Sequence, residues 1–388
     1  MADSKINLNS QIKSHSAARR PRICLPTSRN LSRKTFQCGT FEAQDVLSEI
    51  DDVQLVAYEA TPNFAFRSKL QRRLLYRDFT KQLIHFNPGV KEVTLEQDYD
   101  LFAVVCQNYW DLPYLNAIRD WTSHCRVSVC WLDEMWVYEL RRYYHWIHIL
   151  NQFDYVFLSQ RGSVGAVSKA LGRQCHWLPG GVDAFRFSPF PNPPERKVDL
   201  YSMGRRWEGI HHSLLQLSRQ EDFFYVYDTL PVAFTDVYDH RQHREHFANL
   251  AKRSKFFMVA PGKMNASNET QGQDELGYRY FEGASAGAIM VGSIANSEAF
   301  PELFPWEDAV IPVKNDGSDV VSILSCLRKN PDRMERMSRR NAAEALLRHD
   351  WVYRWQKMFQ IVGIQPSPGM TDRMDRLNRL AQLALGRS

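Results

Sequence analysis

The chain has 388 residues, 44% of them hydrophobic and 12% aromatic, and a formal net charge of +5. This is too long for one ordinary core and suits two domains plus tails, and the apolar content excludes a disordered or fibrous protein. No apolar run approaches the roughly 20 residues that cross a bilayer, so a globular protein of the cytoplasm is expected.

The excess charge lies at one end. Before Cys38 stand Lys5, Lys13, Arg19, Arg20, Arg22, Arg29, Arg33 and Lys34 against the single acid Asp3. Residues 1–20 cannot bury enough surface to offset their ordering entropy, so a disordered basic tail is expected. The same composition also fits a transit peptide or a tether to anionic lipid or nucleic acid. The cysteines (Cys24, Cys38, Cys106, Cys125, Cys130, Cys175, Cys326) form no C-x-x-C pair. Most sit in apolar runs such as LFAVVC, which predicts buried reduced thiols and no zinc site.

Residues 21–180 read as a first domain. Strands are predicted at 22–25, 54–58, 101–106, 126–132, 155–158 and 176–178, with helices at 66–85, 113–121, 134–150 and 163–171. Continuously apolar strands separated by helices predict a parallel sheet covered on both faces, with ligands at the carboxyl ends of its strands. Asp133 and Glu134 directly follow the strand VSVCWL. There they either orient an acceptor hydroxyl or cap the next helix, and capping is the expected role. Residues 181–197, rich in Gly and Pro, form a linker.

The second domain, 198–348, opens with a predicted strand at 198–203 that runs into Gly204-Arg205-Arg206 and a helix at 207–217. Close backbone approach at the glycine and two guanidiniums make a plausible diphosphate clamp; the alternative is a surface Arg pair. His240, His243 and His246 recur every three residues on a predicted helix without a carboxylate set opposite, so a solvated face is expected rather than a metal site. Lys263 follows the strand at 256–260 and can add a cation, and the polar loop 265–273 is a candidate lid. The stretch from Asp274 to Ser297 then carries an acidic approach, a short helix with Arg279 and Glu282, the small residues Gly283 to Gly287, and an apolar strand at 288–291. Small residues let a helix lie close to a ligand or to a neighbouring strand. The charge order Asp274, Arg279, Glu282 favours the ligand. Residues 349–388 carry an aromatic amphipathic helix at 349–361, suited to packing, and a last amphipathic helix at 372–385.

On Arg279-Tyr280-Phe281-Glu282, the turn Ala284 to Gly287, the run His349-Asp350-Trp351 with Arg354, and the midpoint pattern Pro179, Gly181, Val182, Asp183, Phe187, Pro189, the chain resembles the GT-B-fold glycosyltransferases. In particular it resembles the spore-maturation-type branch related to glycosyltransferase family 4. It covers the second half of the chain well and the first half in layout. The resemblance implies an α/β protein with two Rossmann-like domains facing a central cleft. It implies sugar transfer from a nucleotide-diphosphate sugar to an acceptor hydroxyl, with retention and with no metal or cofactor. It puts Glu282 on the nucleotide ribose and Asp274, where the family has Glu, on the donor sugar. Gly204, Arg205, Arg206, Lys263, Arg279 and the backbone near Gly287 then surround the diphosphate, with Asp133 and Glu134 on the acceptor side. The acceptor is left open among glycan, lipid-linked and small molecules, peripheral membrane contact stays open, and nucleic acid is not expected. A sugar-nucleotide epimerase of similar build and a non-catalytic nucleotide-sugar-binding protein are the rival readings.

Overall fold

Two parallel sheets organise the chain in the computed structural model, which describes residues 20–75, 78–142, 144–229 and 235–386. The tail expected at 1–20 lies outside the described residues except for Arg20. In the first lobe the strands are β1 (Ile23–Thr27), β2 (Val53–Ala57), β3 (Val93–Thr94), β4 (Tyr99–Asn108), β5 (Ile118–Arg119), β6 (Cys125–Glu134), β7 (Tyr155–Leu158) and β8 (His176–Trp177). Six of them form a sheet in the order β2-β1-β4-β6-β7-β8, and β3 pairs separately with β5. Its helices are α1 (Cys38–Ile50), α2 (Phe64–Leu74), α3 (Val137–Arg142) and α4 (Val164–Leu171). The short helix α5 (Ala184–Phe187) follows in the linker.

The second lobe has β9 (Val198–Ser202), β10 (Tyr225–Tyr227), β11 (Ser254–Val259), β12 (Ile289–Gly292) and β13 (Val310–Pro312) in the order β10-β9-β11-β12-β13. The helices α6 (Glu208–Gln220), α7 (His240–Lys252), α8 (Ser267–Thr270), α9 (Tyr278–Ser285), α10 (Ala299–Leu303), α11 (Val320–Arg328) and α12 (Pro331–Arg348) belong to it. The chain ends in α13 (Trp351–Val362) and α14 (Pro368–Ala384). Every pairing in the two large sheets is parallel. Central strands such as β1 and β12 are buried along their whole length, which is why they read as unbroken apolar runs.

Three predicted helices of the first lobe come out differently. The segment predicted at 66–85 splits into α2 and a 3-10 turn at Asp78–His85. Around Pro113 the chain makes a 3-10 segment, Tyr109–Ala117, and then β5, because proline lacks the N–H that an α-helix interior needs. The third, at 134–150, begins late: β6 runs on through Glu134, α3 starts at Val137, and a 3-10 segment follows at Tyr144–Gln152.

The linker and the last helices fasten the lobes together. Val182 N–H donates to the His349 carbonyl at 3.0 Å and Trp351 N–H to the Val182 carbonyl at 3.1 Å, so the two motifs singled out in the sequence pair with each other. Asp350 caps α13 through Val352 N–H at 2.9 Å and also accepts from Ala184 N–H at 2.9 Å. Arg373 from α14 reaches both Asp350 and Asp183. Trp351, Trp355 and Phe359 bury one face of α13, and Trp355 Nε1 donates to the Ala43 carbonyl on α1 at 2.9 Å. One apolar core therefore runs from β1 and α1 through α13 and α14 to α9 and β12, while each sheet has its own core on the opposite face.

Candidate functional site

The carboxyl ends of the two sheets meet, and the charged residues gather there. Asp133 and Glu134 do not cap a helix, which corrects the expected role. The ladder with β4 continues to Asn108 opposite Glu134, two residues past the apolar run, and this keeps both acids in the strand. Asp133 is 5% exposed. Its Oδ2 accepts from Gln107 Nε2 at 2.8 Å and its Oδ1 from the Tyr278 hydroxyl at 2.7 Å. Burial pushes its carboxyl up to about 7, against the hydrogen bond from Tyr278 and with a small push from Glu134. Tyr278 is the first residue of α9 and belongs to the other lobe. It crosses the gap because Gly39 and Gly180 make room: a Cβ on either would come within 3.1 or 3.2 Å of its ring.

Glu282, 1% exposed, is held on one oxygen by Arg244 and on the other by Arg279. Arg244 also grips Glu42 of α1 through Nε at 2.7 Å and Nη2 at 3.0 Å. Glu42 in turn accepts from Asp183 N–H at 2.8 Å, Arg186 Nη1 at 3.0 Å and Trp351 Nε1 at 3.1 Å. A buried chain of charge thus runs from Glu42 in the first lobe through Arg244 to Glu282 and Arg279 in the second. Arg279 Nε donates to the Met203 carbonyl at 3.3 Å, beside Gly204. That glycine has φ +89°, and its N–H donates to Asp228 Oδ2 at 2.7 Å. Gly204, Arg279 and Glu282 are therefore brought together.

The other expected donor residues are placed differently. Arg205 is exposed, and its only recorded contact among the described residues is a 3.5 Å approach to the Met264 carbonyl. Arg206 turns to the outer strand, with Nη1 on the Asp228 carbonyl at 2.7 Å and the guanidinium over the Tyr227 ring, so the two arginines do not form one fork. Lys263 sits between carboxylates, with Glu139 at 3.1 Å, Glu134 at 3.2 Å and Glu269 at 3.3 Å, above the Trp136 ring. It joins the lobes instead of standing free for a phosphate. Asp274 is beside the carboxyl end of β12, accepting from Asn296 N–H at 2.8 Å.

Gly287 lies at the wrong end for a diphosphate. A helix that precedes a parallel strand finishes at the amino edge of the sheet, and there Gly287 packs on Ala342 of α12 while its carbonyl accepts from Arg196 Nη2 at 2.8 Å. The small residues before it serve packing: a Cβ on Gly283 would fall 2.8 Å from Phe257 and 3.1 Å from Met290, so α9 lies against strands, not a ligand. Its other end, at Gly277 and Tyr278, faces the gap.

Gln273, at the end of the candidate lid, bridges to the first lobe. It accepts from Val137 N–H at 3.0 Å and donates to Ser163 Oγ at 2.9 Å. Next to it, Glu275 accepts from Gly162 N–H at 2.8 Å. The three histidines do not converge: His240 Nε2 is 2.8 Å from Asp45, and among the described residues no group of three or more His, Cys, Asp or Glu could hold a metal ion. No described helix is long and apolar enough to cross a membrane. Sequence reasoning missed Glu42, Arg244, Asp228, Glu275 and Tyr278, whose importance lies in partners more than 20 residues away in the chain. Only Tyr278 carried a signal, as an aromatic at the start of the singled-out helix.

Residues 196–360 match the family model described as Glycosyl transferase-like. No curated protein matches the chain in sequence. Among solved structures, an alpha-glucosyltransferase in complex with UDP and a 13-mer DNA containing an HMU base is similar at TM-score 0.52 and 11% identity, over 88% of this chain and 99% of that one. An alpha-glucosyltransferase in complex with UDP-glucose and DNA containing an abasic site gives 0.51 and 12%, over 88% and 99%. At such identities the likeness concerns the fold, which is GT-B. The family match to the second lobe bears out a glycosyl transferase-like domain there, as expected for a glycosyltransferase.

Proposed function

We propose that this chain, whose second lobe is a glycosyl transferase-like domain in a GT-B fold, moves a sugar from a nucleotide-diphosphate sugar to an acceptor hydroxyl placed at Asp133. The observation that carries this reading is the meeting of Asp133 and Tyr278 across the gap, with Arg279 next to Tyr278 in the chain and Glu282 one turn further along α9. A donor at the Gly277 end of α9 finds helix N–H groups and Arg279 for its diphosphate. Glu282 then exchanges one guanidinium for the ribose hydroxyls, and Asp274 faces the sugar. Cations and a helix N-terminus stabilise the charge that builds on the leaving diphosphate, so the reading needs no metal ion.

Retention follows the resemblance, with a phosphate oxygen taking the acceptor's proton and Asp133 orienting the hydroxyl. Inversion is the second reading, and the specific observation in its favour is Asp133 itself: a buried carboxyl raised to about 7 suits a general base at neutral pH. The anomeric configuration of the product, read by NMR, separates the two. UDP-glucose is the first donor to test, because an alpha-glucosyltransferase of like fold binds it. Nucleoside diphosphate release and sugar transfer are expected, and Glu282→Gln is expected to raise the donor KM at least about tenfold through the lost ribose contact. Unchanged donor KM in a folded Glu282→Gln protein overturns the assignment. Conversion of donor alone into an isomer points to the epimerase instead.

A further inference from the structure

Between Phe64 and Leu75, which pack on the core, the helix α2 presents its side chains the wrong way round for a protein surface. Ser68 and Gln71 are buried, and Gln71 Nε2 is satisfied by the carbonyls of Leu83 at 2.6 Å and Phe86 at 2.9 Å. Phe66 and Leu70, one turn apart, are 71% and 42% exposed, and Phe86, in the turn that Gln71 holds against the helix, is 59% exposed. A soluble helix normally turns its large apolar residues inward, so a cluster of this kind on the outside marks a surface with a partner.

The charges on the same helix say what kind of partner. Among its 11 residues are Arg67, Lys69, Arg72 and Arg73 and no acid. Phe66, Lys69, Leu70 and Arg73 fall at helical spacing on one face. Arg72 is directed to the Tyr114 hydroxyl at 3.2 Å. Arg67, Lys69 and Arg73 are exposed, and among the described residues none of them pairs with a carboxylate. Apolar side chains flanked by cations that are free to meet anions match the boundary of an anionic bilayer, where rings enter the acyl region and guanidiniums stay with phosphates.

We propose that α2 is an interfacial helix that docks the first lobe on an anionic lipid surface. The helix follows β2 at the carboxyl end of the sheet, and Phe64 at its start packs on Tyr114 at a ring distance of 5.9 Å. Docking through α2 therefore brings the end of the lobe that holds Asp133 to the lipid. The docking itself does not depend on the donor chemistry proposed above.

The test is co-sedimentation of the full chain with vesicles of phosphatidylcholine alone and with about 30% phosphatidylglycerol added. Binding is expected with the anionic vesicles only, weakening as salt is raised. Phe66→Ser with Leu70→Ser, and separately Arg67→Glu with Lys69→Glu and Arg73→Glu, are each expected to lower the partition at least about tenfold. All the changed side chains are exposed, and the far-ultraviolet spectrum and Tm check that the variants fold. Absence of binding by the unchanged protein overturns the proposal. So does undiminished binding by both variants, which assigns the attraction to the basic segment before Pro21. Preference for a single-stranded oligonucleotide over the vesicles, or a dimer that Phe66→Ser dissolves, also overturns it.

Discussion

Asp133 and Glu282 are both buried carboxylates at the meeting of the lobes, yet they sit in opposite company. Glu282 has a guanidinium on each oxygen, whereas Asp133 has an amide and a phenol. Desolvation therefore dominates at Asp133 and lifts its carboxyl to about 7. If the carboxylate form is the one that binds and activates the acceptor, turnover rises with pH through that value and then levels. Tyr278→Phe removes a hydrogen bond that favours the charged form, so the midpoint is expected to move to higher pH, with a larger loss of kcat at pH 6 than at pH 8.5. A pH profile that stays in place shows that the phenol does not govern the acid. Asp133→Asn is expected to lower kcat at least about a hundredfold while leaving the donor KM unchanged, since the donor is held by the other lobe.

At the scale of elements, the run His349-Asp350-Trp351 with Arg354 is a joint. Asp350 caps α13, receives Ala184 N–H and holds Arg373, while Arg354 Nε donates to the Gly180 carbonyl at 2.8 Å. Asp350→Ala leaves Arg373 buried with part of its charge unanswered. The expected loss is about 3–5 kcal/mol in urea unfolding, with part of it recovered by adding Arg373→Met. A loss under about 1 kcal/mol contradicts this account of the joint. The glycine of α9 belongs at the same scale. Gly283→Val forces a branched side chain against Phe257 and Met290 and is expected to cost about 1–3 kcal/mol, without altering donor affinity beyond what the lost stability explains.

For the whole molecule, the decisive feature is Glu42, fully buried and met by Arg244, Arg186, Asp183 N–H and Trp351 Nε1. Burial opposes its charge, but Arg244 and then Arg186 outweigh that and hold the carboxyl below its ordinary range. A depressed carboxyl contributes stability above its unfolded value and loses it as pH falls through the folded one. Glu42→Gln is therefore expected to lower Tm clearly at pH 7, with the gap to the unchanged protein narrowing below about pH 4. A gap that is the same at both ends means that the charge does not tie the lobes. Because the same Arg244 also holds Glu282, a change at Glu42 is also expected to reach the donor KM.

Local chemistry was enough to read the two parallel sheets, the joint at Gly181 to Asp183 and most helices of the second lobe, because buried parallel strands and amphipathic helices leave period and composition in the chain itself. The grouping of Gly204, Arg279 and Glu282 could also be anticipated, Gly204 from its place after a strand and the other two from the charge order of their helix and the family resemblance that puts all three at one donor. Only the folded molecule decided that Lys263 pairs with carboxylates, that Arg206 turns to the outer strand, that Gly287 lies at the far edge, and that Glu42, Arg244 and Tyr278 bind the lobes. A charge has no partner until two distant segments are packed together, and the low dielectric that gives the pairing its strength exists only once the surrounding side chains have excluded water.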